Sequence, residues 1–158
     1  MKILSLRHPP KRQSFWRALL AGVIAHPLIA IVLSIVYWAL RPFIWAAIYM
    51  EPYRPPVGLY SPDSGEWLFT QCIGFFASVG TGVASAYWSP PKSHWPIVAL
   101  LIMSFAYLAF TKFPLETSMF RNAIYALNFP VGLILGVLLL RRLQVNGKHN
   151  NSIVSLHG

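Results

Sequence analysis

From Trp67 to Trp88 the chain runs twenty-two residues without a charged side chain, and within that stretch Gly74, Ser78, Gly82 and Ala86 recur at every fourth position. At about 1.5 Å per residue, a helix of this length measures roughly 33 Å, against a hydrocarbon core about 30 Å thick. Trp67 at one end and Tyr87-Trp88 at the other are amphipathic aromatics of the kind that settle at the two faces of a bilayer. The four-residue repeat of small side chains, widened by Ala77, Thr81 and Ser85, predicts a seam along which another helix backbone approaches closely.

Three further stretches have the same apolar character. Residues 18–40 are uncharged and contain His26-Pro27. Residues 95–111 open with Trp95-Pro96, and residues 122–140 contain Pro130 and the Gly132/Gly136 pair. Of the 158 residues, 56% are hydrophobic and only 11% are charged, against roughly 25% charged in soluble domains. The fold expected is an all-α integral membrane protein of four transmembrane helices, with spans near 18–40, 67–88, 95–111 and 122–140. A basic arm, 1–17, precedes the 18–140 membrane domain, and 141–158 reads as a flexible tail. The longest loop, 41–65, is rich in proline, and its octamer Phe43–Met50 is too short to cross and is placed in the interface. The first apolar run exceeds the usual length of a signal-peptide core and is expected to stay as an anchor.

The charges give the orientation. Four spans put the arm, the 89–94 turn and the tail on one side. These hold five, one and three Lys/Arg and no acid. The other side has Arg41, Arg54, Lys112 and Arg121 against Glu51, Asp63, Glu66 and Glu116. Cytoplasmic loops collect Lys and Arg, so both termini are expected in the cytoplasm, and a bacterial inner membrane is the expected location. This bias accounts for the net charge of +9 without a nucleic-acid surface. Lys11, Arg12, Arg17, Arg141 and Arg142 are placed against lipid headgroups.

Few residues in the spans can carry chemistry. His26 lies on a small-residue ladder with Ala18, Gly22, Ala30 and Ser34. It is expected to bond a backbone carbonyl beside Pro27, since proline frees one a turn earlier. No second histidine and no carboxylate lies within a span, so neither a haem nor a metal ligand set is available, and no cofactor is expected. Cys72 is the only cysteine, which excludes an intrachain disulfide. Gln71 and Asn128 fall at similar depth and are read as a structural clasp.

Gly22, Gly74, Ser78, Gly82, Ala86, Gly132 and Gly136 then form small-residue seams on three helices. Two seams can satisfy each other and a third is left for association. The expected function is therefore non-catalytic: an accessory or assembly subunit, or an immunity-type protein, bound to another integral membrane protein or to itself. The alternative is a small transporter or membrane-embedded enzyme using the outer loop (Glu51, Arg54, Asp63, Glu66) with His26 and Gln71.

Overall fold

The computed structural model describes residues 13–49, 66–110 and 119–154. Four helices follow one another: α1, Phe15–Tyr49; α2, Glu66–Trp88; α3, Trp95–Phe110; and α4, Met119–Val154. Three of them are long and apolar enough to cross a membrane, over Phe15–Ile44, Trp67–Trp88 and Arg121–Gln144, with mean hydropathies of 2.5, 1.3 and 2.2. α3 is apolar but has only 16 residues, or roughly 24 Å.

Local chemistry explains where these helices begin. The Ser14 hydroxyl accepts from the Arg17 amide at 3.2 Å, an N-cap that occupies one of the free donors at the start of α1. The Ser14 amide in turn donates to the Trp88 carbonyl at 3.2 Å, which ties the start of α1 to the end of α2. Between α2 and α3 the chain reverses through Pro90-Pro91 and Lys92, whose φ of 64° is the left-handed turn conformation. The His94 carbonyl then accepts the amides of Ile97 and Val98 at 3.1 and 3.0 Å and opens α3.

The sequence places the ends of the first and fourth spans near Leu40 and Leu140, and the helices that contain them run on past both. α1 continues through Arg41-Pro42 to Tyr49, so all but the last residue of the octamer placed in the interface belongs to it. Pro42 removes one amide from the ladder without ending it. The Arg41 guanidinium folds back over the Trp38 ring, 4.7 Å from its centroid. α4 continues through Arg141-Arg142 to Val154; Arg, Leu and Gln are good helix formers and carry it as far as Gln144.

The helices alternate in direction. Tyr37 stacks on Phe69 at 5.1 Å, so α1 runs antiparallel to α2. α2 and α4 run parallel and form the most closely packed pair: Gln71 meets Asn128 near one end, and the backbone at Val79 and Val83 meets Gly136 farther along. Toward the other end, Ile97 and Leu100 of α3 join Leu133 and Val137 of α4 in a small apolar core.

Candidate functional site

The α2–α4 contact is built on missing side chains. A Cβ placed on Gly136 would collide with the Val79 carbonyl, and one on Gly82 with the Leu133 carbonyl. At Gly132 it would lie 2.7 Å from Ser78 Cβ and 2.9 Å from the Phe75 oxygen. Backbones this close exclude lipid and solvent, so Ser78, Thr81 and Ser85 are buried. Ser78 donates back to the Gly74 carbonyl at 2.7 Å and Thr81 to the Ala77 carbonyl at 2.8 Å, which satisfies both hydroxyls within their own helix. Ser85 Oγ, also buried, has no hydrogen-bond partner among the described residues.

Gly22, on the third seam, faces two neighbours of its own chain. A Cβ there would lie 2.6 Å from Leu100 Cδ1 and 3.4 Å from Ser85 Cβ. Ala86 packs against the apolar core. The seam expected to be left over for a partner is thus engaged inside the molecule, by α3 and α2. At Gly74 the packing is looser, with only Asn128 Nδ2, at 3.4 Å, near its would-be Cβ.

Beside the α2–α4 spine the four helices line a half-open cavity of about 550 Å³. Each helix contributes to its wall: α1 through Val23 and His26, α2 through Gln71 and Gly74, α3 through Met103 and Tyr107, α4 through Tyr125 and Asn128. Of the residues that line it, Met103, Tyr107 and Tyr125 are large and exposed. All three polar residues singled out in the sequence, His26, Gln71 and Asn128, line it. Among the described residues, its wall holds no Asp, Glu, Lys or Arg.

Hydrogen-bond inventories determine how these groups are presented. Asn128 Nδ2 donates to the Gln71 carbonyl at 2.8 Å and to Gln71 Oε1 at 3.1 Å. A backbone carbonyl only accepts, so Asn128 must turn its NH2 toward α2, and Gln71 must then offer its oxygen. His26 Nδ1 lies 3.3 Å from Thr81 Oγ1. The single hydroxyl hydrogen of Thr81 goes to Ala77, so in the neutral imidazole Nδ1 carries the proton and donates to Thr81. The partner of His26 is a hydroxyl on α2 and not the carbonyl expected beside Pro27. Its ring also meets Phe129 edge-on at 5.3 Å.

Thr81 is the residue sequence reading undervalued, because it counts there as one more small side chain on the seam. Its only signal is a hydroxyl among glycines and alanines. Ser104 and Tyr107, three residues apart, share a face of α3, but nothing in the sequence places Tyr125 of α4 on the same wall.

The basic residues fall apart from the cavity. Arg17, Arg141 and Arg142 are exposed, and Arg141 Nη2 donates to His94 Nδ1 at 2.8 Å, at the end of the bundle that holds Ser14 and Trp88. At the opposite end, the Arg121 guanidinium lies over the Trp67 ring at 5.3 Å. Lys11, Arg12, Glu51, Arg54 and Asp63, and the side chain of Glu66, lie outside the described residues. Among the described residues, no three His, Cys, Asp or Glu side chains gather as a metal site would require. No family model, curated protein or solved structure matches the chain.

Proposed function

We propose that the chain is a multi-pass membrane protein that binds a small molecule in the cavity within its bundle, as a carrier or small transporter does. The observation that carries this reading is the cavity itself, walled by all four helices and lined by His26, Gln71 and Asn128. Its volume falls within the roughly 300–1,000 Å³ of ligand sites, and an apolar wall with a few convergent polar groups is their usual composition. Polar side chains at membrane depth are costly unless they do something, which makes such a cluster a functional site by default.

In this reading α3 crosses with the other three helices, its 16 residues helped across by local thinning of the bilayer. Both termini are cytoplasmic, because Arg17, Lys92, Arg141 and Arg142 share one end of the bundle. The membrane is of the bacterial inner-membrane kind, and the basic residues meet its headgroups.

The test uses the purified, delipidated chain. Lipids extracted from its own membrane are expected to raise its unfolding temperature, because a ligand that binds only the folded state stabilises it. Met103→Trp, which adds bulk at an exposed position of the cavity wall, is expected to remove that response. Equal stabilisation of both proteins would defeat the proposal.

A second reading, the accessory or assembly subunit, keeps one observation in its favour. Only 6% of the apolar window of α1 is buried, against 28% for α2 and 33% for α4. A partner helix has room on that face, though acyl chains cover it equally well, and the glycine seams no longer support it. Crosslinking in native membrane from positions such as Ile35 decides the point, and recovery of lipid alone removes this reading.

A further inference from the structure

The Gln71–Asn128 clasp leaves specific groups over. Its two hydrogen bonds use both amide hydrogens of Asn128 and the side-chain oxygen of Gln71. Asn128 Oδ1, an acceptor, and Gln71 Nε2, with two hydrogens to donate, are left on two residues of the cavity wall. Thr70 and Tyr125 lie at the same end.

The other end differs. Ten residues separate Gln71 from Thr81 on α2, or roughly 15 Å of helix. Toward that depth the wall carries Gly22, Val23 and Leu100 beside the hydroxyls of Ser78 and Thr81, both bonded within α2, and His26, which donates through Nδ1 to Thr81 and keeps Nε2 as an acceptor. The amide groups left without a partner therefore gather at the Gln71–Asn128 end, the hydroxyls farther along being satisfied within their own helices, and the described wall carries no Asp, Glu, Lys or Arg.

We infer that the cavity holds a single-chain lipid with an uncharged head in which a hydrogen-bond donor sits beside a carbonyl, the chemistry of a monoacylglycerol. The ligand carbonyl accepts from Gln71 Nε2 and its hydroxyl donates to Asn128 Oδ1, while the acyl chain runs toward Leu100 and Val23. A phosphate or sulfate head has no cationic side chain to meet on this wall, and its desolvation would go uncompensated. The inference rests on the binding reading above and narrows it to a ligand class and an orientation.

Its test uses the full chain in phosphatidylcholine nanodiscs. Three probes carry the same chain, with a diazirine near its end: a 1-monoacylglycerol, the matching 1-alkylglycerol ether, which lacks the carbonyl, and the matching alkyl phosphate. After photolysis, crosslinked peptides are mapped by mass spectrometry. The ester is expected to label the Val23 and Leu100 regions. The ether is expected to label them roughly fivefold less, the worth of one net hydrogen bond, and the phosphate at background level. In Gln71→Leu the ester should fall to the level of the ether.

Equal labelling by ester and ether, or labelling by the phosphate that matches the ester, overturns the ligand class and leaves the binding reading standing. No probe reaching the Val23 and Leu100 regions overturns both. If Gln71→Leu does not fold, the comparison of ester with ether on the unaltered chain decides alone.

Discussion

Among the glycines of the described residues, the one with the least room for a side chain gives the sharpest prediction. A methyl group added at Gly136 would meet the Val79 carbonyl, with Val79 C 2.9 Å and Val83 N 3.0 Å away. Ordinary carbon contacts lie near 3.5–4.0 Å, and the Val79 oxygen is the nearest obstacle, so the α2 backbone has to retreat by roughly 1–1.5 Å. No flexible side-chain tip can give way there, because the obstacle is the main chain of α2 itself. Overpacking of this kind costs about 1–3 kcal/mol, and the gain in helix propensity from Gly to Ala returns at most about 1 kcal/mol. Gly136→Ala is therefore expected to destabilise the bundle by up to about 2 kcal/mol, and by about 1–3 kcal/mol relative to an alanine placed where there is room.

Gly74→Ala is the matched control on the same seam. Its new methyl would meet only Asn128 Nδ2, at the ordinary distance of 3.4 Å, so its stability should equal or exceed that of the unaltered chain. Reversible unfolding of the purified protein in mixed micelles, followed by tryptophan fluorescence, measures both. Equal stabilities for the two variants would refute the close parallel packing of α2 and α4.

Other consequences follow from individual groups. Asn128→Leu removes the clasp to Gln71 and is expected to lower stability by about 0.6–2 kcal/mol in the same unfolding assay, the range for interhelical hydrogen bonds in membranes. Ser85→Ala deletes a buried hydroxyl that has no partner, so it is expected to leave stability unchanged or to raise it by up to about 1 kcal/mol. For orientation, a cysteine at Ser93 in a Cys72→Ser background should react with an impermeant maleimide only in inverted vesicles. Reaction in right-side-out cells would reverse the proposed topology.

The helical segments were legible because long uncharged runs and a four-residue repeat have few other structural solutions. Their ends were not. Arg41-Pro42 and Arg141-Arg142 look like stops because charge limits how far a segment enters an apolar medium. Charge alone does not interrupt a hydrogen-bonded helix, and α1 and α4 run on to Tyr49 and Val154. The seams were legible as faces but not as pairs. Periodicity shows that Gly22 lies on a small face, while only the assembled bundle shows that Leu100 and Ser85 meet it. For the same reason, depth along the chain put Gln71 and Asn128 at a common level, but the cavity beside them depends on how α3 sits against the α2–α4 pair. No local pattern in Met103 to Leu108 encodes that placement.

The binding claim is tested most directly by native mass spectrometry of the full chain, released from membranes of its source under mild detergent. The account predicts a one-to-one adduct of an uncharged lipid that is lost in Met103→Trp. A bare polypeptide mass from the unaltered chain, or an adduct kept equally by Met103→Trp, would contradict it.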